Sequence, residues 1–262
     1  MPFKPLLFFA VLFTFSCNNT TTLKNKFTSH QNVAVNSANK NIFPSINTIA
    51  LPAGYVRIPV DSNSFAAWLR KVALKENKTV YLYDGRLKGN QLAQFAVLDI
   101  SVGNKNLQQC ADAVMRLRAE YLFAAKKFSD ISFSDNENTV YTFHAPYTRE
   151  NFMQYLERVF GMCGTASLAK QLKPVTDLSA IEPGDVLIRG GFPGHAEIVM
   201  DVAINASGKK IFMLAQGMMP AQDIHVLVNP VNDTLSPWYE VNDNKEIMTP
   251  EYLFYSNELK RW

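Results

Sequence analysis

The sequence predicts an α+β fold in which helices pack on one side of a small antiparallel sheet. Helical periodicity dominates residues 62–75, 106–128 and 148–172, whereas short alternating segments follow from residue 185 onward. Gly, Pro and Asn separate these segments, which is typical of strands joined by hairpins. The chain has 262 residues and is 47% hydrophobic, enough for a sizeable core in one domain.

The N-terminus resembles a lipoprotein-type signal peptide over residues 1–17. Lys4 precedes a short apolar stretch, and Cys17 follows a serine. The apolar stretch is too short to span a bilayer, but it suits the hydrophobic region of a signal peptide. Cys17 is therefore the predicted lipidation site and membrane anchor, and an ordinary cleaved signal is the alternative. Both interpretations predict export to the cell envelope, in the periplasm or at the outer membrane.

Two further regions follow the signal. Residues 18–50 are rich in Asn, Thr and Ser and are predicted to be a flexible tether, and residues 51–262 form the single predicted domain. The net charge is only +3 and no basic run occurs, so no nucleic-acid partner is expected. Three cysteines do not suggest a disulfide framework.

The elements of the domain are predicted from local patterns. An amphipathic helix at 62–75 follows a polar cap, and a longer helix at 106–128 has Asn104 or Asn106 as its cap. The segment 148–172 is helical with a break at Gly161 or Gly164. The predicted strands are 79–85, 94–103, a hairpin over 131–143, and then 185–189, 195–203, 210–215 and 223–229.

His195 opens one of these strands, directly after a glycine-rich turn. Alternation places it on one strand face with Glu197, Val199 and Asp201. A four-residue turn at 205–208 would put Gln216 of the next strand on the same face, near the same end of the hairpin. A register slip of one residue would break this arrangement.

Cys110 is the candidate nucleophile because it lies in the first turn of a predicted helix. A helix N-terminus stabilises negative charge, and a thiolate beside an imidazolium is the activated form needed to attack an amide. His195 would act as general base and then acid, and Gln216 would orient its ring. The backbone N–H groups of the first helical turn would bind the oxyanion.

The motifs PGDVLI, PGHAEIVMDVA and KIFMLAQG resemble those of the papain-like cell-wall cysteine hydrolases of the NlpC and CHAP type. The resemblance implies a papain-like fold with Cys110, His195 and Gln216 in the catalytic positions. The sequence departs from this pattern at Gln109-Cys110-Ala111 and in the length of chain between nucleophile and histidine. The chain also looks like an uncharacterised family of Bacteroidetes lipoproteins, through NLQQCADAVMRLRAEYL and LAQGMMPAQDIHVL, which implies export but no known activity.

Two functions remain open. The first is a cysteine hydrolase, a peptidase or amidase that cleaves peptide or peptidoglycan amides without a cofactor. The second is a non-catalytic envelope lipoprotein that binds a peptide, a glycan or a partner protein through the same cleft. Cys110 shares a helix face with apolar residues, so a purely structural cysteine is compatible with the sequence.

Four other residues are weaker candidates. Asp223 and His225 alternate on one strand face and are predicted to form a second polar wall of the binding site, and Trp238 is predicted to line a peptide groove. Cys163 competes with Cys110 as a nucleophile, but it lacks a clear helix N-terminus. No metal site is expected, because Asp223 and His225 supply only two ligands. The sequence does not predict an oligomeric state.

Overall fold

A computed structural model describes residues 39–262. Its helices within this range are α1 (Phe65–Arg70), α2 (Cys110–Ala124), α3 (Arg149–Met162) and α4 (Thr165–Gln171). The strands are β1 (Tyr55–Arg57), β2 (Gln94–Val97), β3 (Ser132–Ser134), β4 (Val140–Thr142), β5 (Lys173–Pro174), β6 (Val186–Arg189), β7 (His195–Asn205), β8 (Lys210–Gln216), β9 (His225–Leu227), β10 (Trp238–Glu240), β11 (Glu246–Met248), β12 (Leu253–Tyr255) and β13 (Leu259–Arg261).

The dominant element is a nine-stranded antiparallel sheet with the order β2-β9-β8-β7-β6-β13-β5. The long β7–β8 hairpin forms its centre, β1 pairs with the end of β7, and β10 pairs with the start of β8. The predicted papain-like architecture of helices on a small sheet was therefore wrong. Strands of two or three residues, such as β5, β10 and β13, are too short to show alternation in a sequence, yet they complete the sheet.

The central hairpin is buried on both faces. The helix face carries Ile198, Met200 and Met213, which belong to the large core formed with α1 and α2. The opposite face carries Val199, Val202, Phe212 and Leu214. That second core is closed by Ile247 and Phe254 of the β11–β12 hairpin.

A β-bulge at Met200 interrupts the β7–β8 ladder. Asp201 pairs with Met213, but Val199 pairs with Leu214, so β7 holds one residue more than β8 at this point. Met200 and Asp201 consequently both point to the helix side. The predicted placement of Asp201 on the same face as Val199 was wrong for this reason. Asp201 instead forms ion pairs with Arg57 and Arg70 at 2.6 and 2.7 Å.

The predicted elements from residue 131 onward agree with the structure in position. The β3–β4 hairpin, the break between α3 and α4 at Cys163–Gly164, and the strands β6 to β9 lie where the patterns indicate. The predicted strand at 79–85 forms only isolated bridges. The predicted helix at 62–75 is shorter in the structure, where only α1 is helical.

The start of α2 also differs from the prediction. Its N-cap is Gln109, not Asn104 or Asn106, so that Cys110 is the first helical residue. The Asn106 side chain accepts a hydrogen bond from the Ala221 backbone N–H at 2.8 Å. The Asp112 carboxylate accepts one from the Gln109 N–H at 2.9 Å, which satisfies one of the free donors at this helix end.

The folded unit begins earlier than residue 51. Ile46 and Ile49 are fully buried in the main core, and the Asn41 amide donates to Phe43 and Lys75 carbonyls. The predicted signal peptide, Cys17 and most of the predicted tether lie outside the described residues. Within residues 39–262, no helix is both long enough and apolar enough to cross a membrane.

Candidate active site

The candidate active site lies at one end of the sheet, where β7 begins and β8 ends, against the N-terminus of α2. Gly217, directly after β8, makes this close approach possible. A Cβ at this position would lie 2.9 Å from both the Ala113 Cβ and the Gln109 carbonyl oxygen. The absence of a side chain therefore lets the tip of α2 sit next to the strand ends that carry His195 and Gln216.

The structure brings Cys110, His195 and Gln216 together. The Nε2 atom of His195 lies 2.7 Å from the Oε1 atom of Gln216. The Cys110 thiol lies close enough to the same ring to help raise the pKa of His195. With Nε2 held by Gln216, Nδ1 is the nitrogen left for the thiol. Cys110 is partly exposed, whereas the ring and the amide are buried.

The electrostatics of this group favour a charged imidazole. Burial of the His195 ring opposes its charge, but hydrogen bonds to Cys110 and Glu197 outweigh burial and raise the pKa of His195 to about 10. His195 is therefore an imidazolium at neutral pH.

Glu197 is a member of this group that sequence reasoning missed. Its Oε1 atom lies 3.5 Å from His195 Nε2 and accepts a hydrogen bond from the Thr249 hydroxyl at 2.8 Å. Burial raises the pKa of Glu197, while His195 opposes that effect. The available signal was its place two residues after His195 on the same strand face, a charged position in a mostly apolar strand.

The site also contains donors suited to an oxyanion. The helix supplies no intrahelical acceptor for the N–H groups of Cys110 and Ala111. The N–H of Ala113 is the first to bond within the turn, to the Gln109 carbonyl at 2.9 Å. N–H groups in the first turn of a helix can donate to the oxygen of an attacked carbonyl as it gains charge.

The three predicted binding residues are all buried, and each contacts other parts of the fold. Trp238 is 1% exposed in the main core, and its indole N–H donates to the Ala50 carbonyl at 2.9 Å, so it lines no groove. The Asp223 carboxylate is buried and pairs with Lys75 at 2.9 Å. His225 is fully buried behind Gln216, where its Nε2 lies 3.3 Å from the Gln216 amide nitrogen.

The second cysteine has the opposite environment to Cys110. Cys163 is buried at the end of α3, and burial, assisted by Asp135 and Asp112, raises the pKa of its thiol to about 12. At neutral pH this thiol is protonated and shielded. Cys163 is therefore an internal reference for an unreactive thiol in the same molecule.

Two exposed apolar side chains lie on the loops that lead to the site. Phe192, three residues before His195, is 91% exposed, and Met219, three residues after Gln216, is 68% exposed. Sequence reasoning did not select either residue. Both side chains therefore add exposed apolar surface at the strand ends that carry His195 and Gln216.

No metal-binding group was found in the described part of the chain. Among residues 39–262, no three His, Cys, Asp or Glu side chains are grouped closely enough to hold an ion.

Gly217→Ala is expected to impair the site more than the fold. The new methyl group would push the end of β8 away from α2, and a displacement on the order of 1 Å lowers reactivity by about 100-fold. Overpacking should cost about 1–3 kcal/mol of unfolding free energy. The reactivity of Cys110 towards iodoacetamide and urea unfolding would measure the two effects.

Gly161→Ala is the matched control. This glycine lies in α3, and an added Cβ meets no atom within 4 Å. Alanine there should leave thiol reactivity unchanged and stabilise the helix by about 0.5–1 kcal/mol. Equal thiol reactivity in both variants would contradict the role assigned to the close approach at Gly217.

Comparisons with known proteins give a family but no activity. The family described as Domain of unknown function (4846) matches residues 46–145 and 134–261, which together span nearly all of the described fold. No curated protein matches the chain, and no solved structure matches it.

Proposed function

Because the chain belongs to the family described as Domain of unknown function (4846), whose description assigns no reaction, we propose a function from the site itself: a cysteine hydrolase, a peptidase or amidase. The observation that carries the proposal is the position of Cys110: the first turn of α2 packs against Gly217, beside the His195 ring, whose Nε2 is held by Gln216 at 2.7 Å. A nucleophile, an oriented imidazole and free helix N–H groups are what amide hydrolysis through an acyl-enzyme requires.

In this mechanism the Cys110 thiolate attacks the amide carbon and forms a carbon–sulfur bond. The carbonyl oxygen becomes an oxyanion that accepts from the first-turn N–H groups of α2. His195 donates its Nδ1 proton to the leaving nitrogen as the carbon–nitrogen bond breaks, which releases the amine and leaves a thioester. Neutral His195 then takes a proton from water, hydroxide attacks the thioester, and the regenerated thiolate leaves with the imidazolium restored.

The proposed substrate is a peptide amide of the cell envelope, including the stem peptides of peptidoglycan. Support comes from the predicted signal at residues 1–17, from the resemblance to NlpC and CHAP enzymes in the motifs around His195, and from the exposed Phe192 and Met219 beside the site. Lipidation at Cys17 would hold the enzyme at a membrane surface.

Iodoacetamide should alkylate Cys110 of the folded protein about 10- to 100-fold faster than a free thiol at about pH 6.5, where a free thiol is only about 1% ionised. The advantage should fade as the pH rises through about 8.5, because a free thiol then ionises as well. The raised pKa of His195 keeps the ring protonated up to about pH 10, and its stabilising charge is lost above that value. Mass spectrometry of the labelled peptides locates the modification.

Cys163 in the same sample is the control, because its buried thiol should remain unlabelled. Labelling of Cys110 no faster than an ordinary thiol, with a rate that simply follows thiol ionisation, would contradict the hydrolase. That outcome would favour a binding protein in which Cys110 only packs against its neighbours.

A further inference from the structure

The Gln216 amide is held at both ends. Its Oε1 atom faces His195 Nε2 at 2.7 Å, and its Nε2 atom lies 2.7 Å from the Glu251 carboxylate and 3.3 Å from His225 Nε2. Glu251 comes from the segment between β11 and β12, which covers this part of the sheet. Neither Glu251 nor a role for His225 in orienting Gln216 was predicted from sequence.

The chemistry of its partners allows only one orientation of this amide. A carboxylate can only accept, so the amide group facing Glu251 must be the NH₂. His225 Nδ1 lies 2.9 Å from the Asp223 carbonyl, which also only accepts, so the proton of His225 is on Nδ1 and its Nε2 is a free acceptor. Burial lowers the pKa of His225 to about 4, which keeps the ring neutral. Both acceptors therefore face the Gln216 NH₂ group.

Glu251 is itself fixed. Its other carboxylate oxygen accepts from the Lys88 ammonium at 2.6 Å and from the Asn90 amide at 3.2 Å. Lys88 is 5% exposed, so this ion pair is largely shielded from water. The two oxygens of Glu251 therefore have separate partners: one accepts from Lys88 and Asn90, and the other accepts from Gln216.

The fixed orientation of the Gln216 amide determines the hydrogen-bonding role of each ring nitrogen of His195. Since Gln216 presents its carbonyl oxygen, His195 Nε2 must be a donor, and the proton exchanged with sulfur must be the one on Nδ1. The charged and titratable groups that face the ring are Cys110, Glu197 and the Tyr252 phenol, whose ring centre lies 4.8 Å away. These neighbours agree with Nε2 as a hydrogen-bond donor, because the Glu197 carboxylate is a second acceptor on the Nε2 side of the ring.

We propose that Glu251 and His225 are positioning residues that fix the Gln216 amide and thereby reserve Nδ1 of His195 for the Cys110 thiol. The proposal rests on the proposed hydrolase function. It adds a second layer of residues that touches neither substrate nor sulfur. Losing the Glu251 oxygen that faces Gln216 should therefore lower the reactivity of Cys110 more than losing the ion pair with Lys88.

Three variants separate the contribution of the Glu251 oxygen that faces Gln216 from that of the Lys88 ion pair. Lys88→Met removes the ion pair but leaves a carboxylate to accept from Gln216. Glu251→Gln keeps the shape, but Lys88 then attracts the new amide oxygen and turns its NH₂ towards the Gln216 NH₂. Lys88→Met with Glu251→Leu removes the acceptor without leaving an unpaired buried charge, so that it tests the same point if Glu251→Gln does not fold.

Alkylation of Cys110 by iodoacetamide at about pH 6.5, followed across the pH range, is the readout. Lys88→Met should keep the wild-type rate within about threefold, while Glu251→Gln and the double variant should lose about 10- to 100-fold and follow ordinary thiol ionisation. Glu120→Gln is the matched control: its carboxylate pairs with Arg116 and Arg149, and its side chain is 14% exposed against 15% for Glu251.

The outcomes are distinguishable. Fast alkylation in the wild type and in every folded variant overturns the positioning proposal and leaves the hydrolase intact. A loss in Lys88→Met equal to that in Glu251→Gln also overturns it, because the ion pair would then be the relevant contact. A wild-type thiol that reacts no faster than a free thiol overturns the hydrolase and the positioning proposal together.

Discussion

Replacing Cys110 by serine is expected to lower amide hydrolysis by about 10⁴-fold or more, since the loss of a catalytic nucleophile removes the acyl-enzyme route. A serine hydroxyl is about 5 orders of magnitude less acidic than a thiol, and the imidazolium of His195 cannot hold it as an alkoxide. The substitution changes one atom at a partly exposed position, so the fold should be unaffected.

The measurement is digestion of purified peptidoglycan and of synthetic stem peptides by the wild type and by Cys110→Ser. Cys163→Ser is the control for loss of any thiol; it should retain activity while losing some stability, because that position is buried. Thermal unfolding of both variants separates a missing nucleophile from a missing fold. Equal digestion by Cys110→Ser and the wild type would assign any hydrolysis to another group.

Asp201→Ala is expected to be the most destabilising single change at an ionic site, at about 3–5 kcal/mol of unfolding free energy. The Asp201 carboxylate is fully buried and binds the guanidinium groups of Arg57 and Arg70. Removal would leave both cations facing an apolar core while their other bonds, to the carbonyls of Ile49 and Ile58, hold them in place. Urea unfolding, with the slope checked for two-state behaviour, gives the free energy.

Glu240→Ala is the comparison for an ion pair in water. Glu240 pairs with Lys209 at the surface, where both side chains are at least one-third exposed, so the change should cost less than about 1 kcal/mol. A cost for Asp201→Ala that is no greater than for Glu240→Ala would mean that the arginines reach water when their partner is lost.

The sequence was most informative where a single element determines the geometry. The helix periodicity around Cys110 and the alternation after His195 predicted α2, β7 and β8, and they indicated which side chains would meet. These signals are local, because 3.6- and 2-residue periods appear within one segment. Gln216 and His195 do share a face, but not through the predicted four-residue turn: Ile204 pairs with Lys210, one residue off that register, and the Met200 bulge restores the shared face.

The extent of the sheet and the second layer of the site depend on long-range contacts and could not be predicted in this way. The β10 strand contains Trp238, and an aromatic residue after proline is compatible with a groove as well as with a core. Glu251 reaches Gln216 from 35 residues further along the chain, out of a segment with no period of its own. The Met200 bulge leaves no signal, since an extra residue in an apolar strand does not alter its composition.

The Met200 bulge has a consequence for how this hairpin tolerates insertions and deletions. Near the turn, each paired residue in β7 and β8 has the same parity, as in Ile204 with Lys210; beyond the bulge the parity is opposite, as in Ile198 with Ala215. Deleting one residue at the bulge alone, or adding one in the turn alone, would invert the faces and rotate the imidazole away from the amide. Only a compensating pair of length changes would return it, so the turn and the bulge should vary in length together or not at all.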